Sequence, residues 1–299
     1  MKVRAIGVAL AALLALGLVV AAVSGAFDDD PPARAAATAR LKVDRFDGAR
    51  AFAELRRQVE MGPRPAGSAA SRRLAARMRR VLPRGHYEKF GPTHPGLRNV
   101  VGRLPGRKPA VVVAAHYDTK KMPGFVGAND GAGGSAAVLE LARVLSHTKR
   151  PAGAPELRFV LLDGEEATND KADFLLSGVR GAKAYARRHR GELRAFVLLD
   201  FVANRHLRLL REEGSDPELW ARLRAAAQRV GAEAAFPGRT QGEILDDHTP
   251  FARDGVPAID LIDFDFPCWH KLCDDMSAVS AHSLDISGEA VLELLRTWR

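Results

Sequence analysis

The residues of this 299-residue chain whose types suit chemistry are His116, Asp118, Asp130, Glu165, Glu166, Asp200, Asp246, His248 and His270. Each follows an apolar run or sits in a turn rich in small residues. Carboxylate oxygen and imidazole nitrogen are good zinc ligands, and a catalytic zinc takes only three protein ligands, leaving a position for water or substrate. The set is large enough for one metal ion or two, and its placement predicts a zinc site on the rim of an α/β sheet.

His116-Tyr117-Asp118 closes a strand, and alternate residues share a side, so His116 and Asp118 can point toward one site. One would bind metal while the other orients the imidazole; the plainer alternative is a water-exposed histidine at a strand end. Asp130 lies in Gly127-Ala128-Asn129-Asp130-Gly131-Ala132-Gly133-Gly134, where a helix begins, and taken alone it reads as an N-cap. Glu165 and Glu166 follow Phe159-Val160-Leu161-Leu162-Asp163-Gly164. Adjacent side chains leave the backbone in different directions, so one carboxylate can hold metal while the other moves protons. Asp200 ends Phe196-Val197-Leu198-Leu199 in the same manner. Asp246, His248 and the pair Trp269-His270 complete the set, with Trp269 either lining an apolar wall or filling core.

Those side chains need a scaffold. Helical spacing of Phe52, Leu55 and Val59, and of apolar residues between Ser68 and Leu82 with Ser68 as N-cap, predicts two covering helices. Strands are expected over Arg98 to Leu104, Pro109 to Ala115, Leu157 to Leu162, Phe196 to Leu199 and Val256 to Ile262, several of them apolar enough for burial on both faces. Helices are expected over Gly131 to Ser146 and Gly288 to Trp298. The alternation predicts an α/β three-layer sandwich with a mostly parallel, mixed sheet, whose ligands gather beyond the carboxyl ends of the strands.

Lys2 and Arg4 precede an apolar stretch from Ala5 to Val23, followed by Ser24-Gly25-Ala26. This pattern predicts export, with residues 1–26 as a signal peptide or an uncleaved anchor, since the stretch approaches the roughly 18 to 20 residues that span a bilayer. Residues 27–44 read as a linker and 45–299 as one catalytic domain, secreted or held on the outer face of the cell membrane. No cysteine follows the apolar stretch closely, which argues against a lipoprotein. The formal charge of +9 sits in helical stretches such as Arg72-Arg73 and Arg187-Arg188 without interleaved aromatics, so a solvated arginine-rich surface is preferred to nucleic-acid binding. The two cysteines, Cys268 and Cys273, bracket His270. Export favours a disulfide, feasible only if the segment turns back on itself; a thiolate zinc site fits poorly with donors that are otherwise oxygen and nitrogen.

In their order and spacing, AHYDTK, GANDGAGG, LLDGEEA, LLD, DDHTPF and WHKLCDD, with GPRPAGS at 62–68, resemble the exported zinc aminopeptidase superfamily, and within it the glutaminyl-peptide cyclotransferases. Asp246 before Asp247-His248 and Trp269 before His270 are the features that favour that branch. The resemblance implies a single zinc held by Asp130, Glu166 and His270, with Glu165 as proton shuttle, Asp200 and Asp246 as supporting acids and Trp269 as a pocket wall. It implies substrates that are peptide or protein N-termini. The superfamily alternative is a di-zinc aminopeptidase, in which His116 and Asp200 bind a second metal, Asp130 bridges, and Glu165 activates water. A third possibility, a non-catalytic peptide receptor, would be expected to lack Glu165 or a ligand, and this chain lacks neither. One departure stands out: Asp260 occupies the place where animal cyclotransferases carry histidine.

Overall fold

In the computed structural model, residues 39–298 are described, apart from 93 and 172. The expected leader and most of the expected linker lie outside the described residues. Within them no helix is long and apolar enough to cross a membrane.

The first two helices among the described residues are amphipathic, α1 (Gly48–Glu60) and α2 (Ala69–Val81). Ser68 caps α2 as expected, its hydroxyl accepting the Ser71 N–H at 3.0 Å. Strands β1 (His86–Lys89), β2 (Arg98–Leu104) and β3 (Arg107–His116) follow, then α3 (Gly134–Ser146), β4 (Pro155–Leu162), α4 (Arg180–Arg188), β5 (Leu193–Leu199), α5 (Pro217–Val230), β6 (Ala258–Leu261) and α6 (Ala281–Arg296). The short strand β1 had no clear sequence signal.

These six strands form one sheet in the order β1-β2-β4-β3-β5-β6. The first two pairings are antiparallel and the other three parallel, so the sheet is mixed and mostly parallel, flanked by helices on both faces. Alternation along the strands supplies both faces. Val111, Val113, Leu157, Phe159, Leu161, Val197 and Leu199 pack with α1, α2, α3, α5 and α6, while Val112, Ala114, Val160, Leu162, Phe196 and Leu198 pack with α4 and Phe251. Each fully buried Val, Leu or Phe side chain among these contributes about 1.5–3 kcal/mol.

Two expected helix starts move. The helix expected from Gly131 begins at Gly134, because Asp130 and Gly131 leave helical geometry: Gly131 has φ 91°, and Ala128–Gly133 form a wide turn instead. The closing helix begins seven residues earlier than expected, at Ala281, capped by the Ser280 hydroxyl. Gly288, which resembles a helix boundary in sequence, is interior. A Cβ there would come within 2.5 Å of the Phe46 ring, so the glycine admits that ring against α6.

Candidate metal centre

The carboxyl ends of β3, β4 and β5 meet at one rim. Register brings this about: His116 pairs with Leu162 of β4, and Ala114 pairs with Leu198 of β5, which sets Asp200 beside His116. The His116 Nε2 lies 3.1 Å from Asp200 Oδ1 and 3.2 Å from Asp130 Oδ1. Asp118, buried, lies 3.8 Å from His116 Nδ1 and spends its Oδ1 on the backbone N–H groups of Gly164 (2.9 Å) and Glu165 (3.1 Å). Asp118 therefore anchors the loop after β4.

His270 arrives from the far side, on the loop after β6. Its Nε2 lies 3.5 Å from Glu166 Oε2 and 3.7 Å from Asp130 Oδ2. Two groups of donors result, Asp130 with Glu166 and His270, and His116 with Asp130 and Asp200; within each, the ligand atoms lie within 4.8 Å of one another. Asp130 belongs to both. It is not a helix cap, since the residue before α3 is Gly133.

A divalent cation suits these donors. Buried carboxylate oxygens of Asp130 (Oδ2) and Glu166 (Oε1) have no hydrogen-bond partner, a costly arrangement unless a charge compensates. Burial, with the neighbouring Asp130 charge, pushes the Glu166 carboxyl up to about 7 against the pull of His270. Glu165 is raised well above the usual carboxylate range by burial, opposed by His116 and reinforced by Glu166. Burial disfavours charge on His116, yet its contacts with Asp118, Asp130 and Asp200 prevail and raise it well above 6.5.

A cavity of about 700 Å³ opens onto this rim. Glu165, Glu166, Asp130, Asp200, Asp246 and His270 supply its polar side, and Phe201, Ile244, Ile262, Phe264 and Trp269 its apolar side. Trp269 is 44% exposed, so it is a wall and not core, and its ring stacks on that of His270 at 4.6 Å. Behind Asp246 lies a second buried group: His248 Nε2 is 3.3 Å from Glu212 Oε1, and its Nδ1 is 3.8 Å from Asp260 Oδ2. Asp260 and Asp246 influence one another, each held up by burial. The structure thus brings every sequence-selected acid and histidine to the rim or directly behind it.

Three supporting residues had gone unassigned. Glu212 lies in no motif and has no sequence signal. Arg64, in GPRPAGS, is fully buried, and its guanidinium donates to the carbonyls of Gln58, Gly62, Val126 and Gly127. Burial lowers it to about 10, resisted by Asp274, Asp130 and Asp118. Asp274, in WHKLCDD, accepts the backbone N–H groups of Asn129 at 2.7 Å and Asp130 at 3.1 Å. The signal for Asp274 was its position beside the histidine motif. Cys268 and Cys273 form a disulfide around His270.

The model of Peptidase family M28 matches residues 99–295. A glutaminyl-peptide cyclotransferase-like protein of Mus musculus is 31% identical over 215 residues, 59% of this chain and 54% of that protein. The chain spans less than two thirds of the length of the curated relatives it matches first. Among solved structures, an Acidobacteriales bacterium glutaminyl cyclase superposes with a TM-score of 0.75 at 30% identity, covering 86% of this chain and 96% of that one. A leucine aminopeptidase precursor from Bacteroides thetaiotaomicron VPI-5482 superposes with a TM-score of 0.75 at 25% identity, covering 87% and 100%.

Proposed function

We propose, for a chain that belongs to peptidase family M28, a zinc-dependent glutaminyl-peptide cyclotransferase that converts N-terminal Gln, or more slowly Glu, to pyroglutamate with release of ammonia or water. The observation that carries this reading is the donor group of Asp130, Glu166 and His270 at the mouth of a cavity that also holds Glu165 and Asp246 and is walled by Trp269. The likeness to glutaminyl cyclase structures supports it.

Asp130, Glu166 and His270 would hold the zinc, which when bound supplies a Lewis acid for the substrate's side-chain γ-carbonyl. Glu165 takes a proton from the attacking α-amine and returns it to the departing amide nitrogen, so that ammonia leaves and the ring closes. Asp200 and Asp246 face the same space and orient the amine. The apolar wall around Trp269 folds the first residue onto itself and excludes water; attack within one molecule gains mainly from such orientation.

The group His116, Asp130 and Asp200 supports a second reading, a di-zinc aminopeptidase in which Glu165 activates water. The product decides between them. Zinc-free and zinc-restored protein is incubated with Gln-Xaa and Leu-Xaa peptides and the products are weighed. Loss of ammonia from Gln-Xaa with Leu-Xaa untouched is the expected result. Release of the first residue from either peptide would overturn it.

Export belongs to the same proposal, with residues 1–26 as leader or anchor, 27–44 as linker and 45–299 as the catalytic domain. The disulfide supports it, since such bonds persist in oxidising compartments.

A further inference from the structure

We propose that the Cys268–Cys273 disulfide and Asp274 form a strut that presets His270 against Asp130, so that the metal site is shaped before an ion binds. The inference rests on the ligand assignment above. His270 has φ 51°, a left-handed conformation that a residue with a Cβ adopts only when its surroundings impose it. The surroundings here are specific. The disulfide draws the Cα atoms of residues 268 and 273 to 5.4 Å. Inside that ring the Lys271 N–H donates to the Cys268 carbonyl at 3.0 Å, and at its exit the Asp274 N–H donates to the Lys271 carbonyl at 3.0 Å.

The ring is joined to the other ligand by the next residue in the chain. Asp274 receives three backbone N–H groups from the turn that carries Asp130: its carbonyl accepts that of Ala128 at 3.2 Å, and its two carboxylate oxygens accept those of Asn129 and Asp130. Asp130 and Gly131 depart from helical φ/ψ in that turn, and its own wide-turn bond, from the Ala132 N–H to the Gly127 carbonyl at 3.2 Å, is supplemented by those that Asp274 accepts. A covalent bond and three hydrogen bonds therefore connect two ligands 140 residues apart in sequence. Groups that orient ligands in this way commonly govern metal affinity.

The test is zinc affinity of the metal-free full-length protein, measured by competition with a chromogenic chelator. C268S/C273S and Asp274→Ala are each expected to weaken zinc binding by about 10- to 100-fold. Asp274→Asn, which keeps one acceptor oxygen, is expected to lose less than Asp274→Ala. In a His270→Ala background the strut has no imidazole to position, so removing the disulfide should cost nothing further. Unchanged affinity in the strut variants, or an equal loss with and without His270, would overturn the inference. Should C268S/C273S fail to fold by circular dichroism, the Asp274 pair decides, with Asp130→Ala as the background in which its effect should vanish. Wild-type protein that binds no zinc, or binds it as tightly without His270, would overturn the ligand assignment itself, a result distinct from failure of the strut alone.

Discussion

The carboxylate of Asp118 accepts the backbone N–H of Glu165 at 3.1 Å, tying the end of β3 to the loop that carries the proposed proton shuttle. The same oxygen holds Gly164, so the loop is fixed at two consecutive amides. Asp118→Ala leaves the buried Gly164 N–H without an acceptor, at about 1–3 kcal/mol, and frees the partly buried Glu165 N–H at a smaller cost. The expected outcome is a lower melting temperature together with a fall in kcat, measured by thermal unfolding and ammonia release. Unchanged kcat in the folded variant would show that the loop needs no such anchor.

Glu165→Gln preserves shape and removes the base. Cyclisation should slow by about 10²- to 10⁴-fold, the range usual for a lost general acid–base. Zinc content should stay at the wild-type value, because Glu165 is not among the proposed ligands. Loss of zinc with the activity would place Glu165 in the coordination sphere instead.

Zinc should stabilise the fold, since its donors come from separate loops and converge only in the native state. At a free concentration about 100 times Kd, linkage predicts about 2.7 kcal/mol of added stability, with melting temperature rising as zinc is titrated into metal-free protein. His270→Ala should abolish most of that rise.

Acid stability has a separate source. Glu88 is buried beside His189 (3.0 Å) and Arg188 (3.0 Å). Burial alone would raise its carboxyl, but the two cations prevail and hold it at about 2, below the ordinary 4.5. A depressed acid stabilises the fold above its unfolded value, and that contribution disappears as pH falls from 4.5 through 2. Metal-free protein should therefore lose stability across this window, and Glu88→Gln should flatten that part of the profile in denaturant titrations at stepped pH.

Asp260→His introduces the residue that animal cyclotransferases carry at this place, between His248 and Asp246. Cyclisation is expected to persist. A folded variant with no activity would show that the resemblance does not extend to this position.

Much of the site was legible because of strand physics. Apolar runs such as Ala110 to Ala115 and Phe159 to Leu162 read as buried strands, and the polar residues that end them emerge at one edge if the strands are parallel. The helix boundaries at Gly134 and Ala281 were less legible, because a glycine signals a boundary, a forced turn or a close approach with the same letter. Gly131 serves the turn and Gly288 the approach of Phe46.

The amino-acid order by itself pointed to His116, Asp118, Glu165, Glu166 and Asp200 at one edge of a mostly parallel sheet, because local hydrophobic patterning sets strand ends without reference to the rest of the chain; the roles of Asp130, Asp246 and His270 came from the motifs' resemblance to a family. Only the tertiary structure decided how those groups divide their work: Asp118 bound to amides, Asp130 between two imidazoles, Glu212 and His248 paired behind Asp246, Asp274 clamping a distant turn, and the two cysteines joined. Apart from the cysteine pair, five positions apart, these assignments depend on distances of a few ångströms between residues tens to more than a hundred positions apart. Such distances are set by register, loop path and packing together, which no single stretch of sequence encodes.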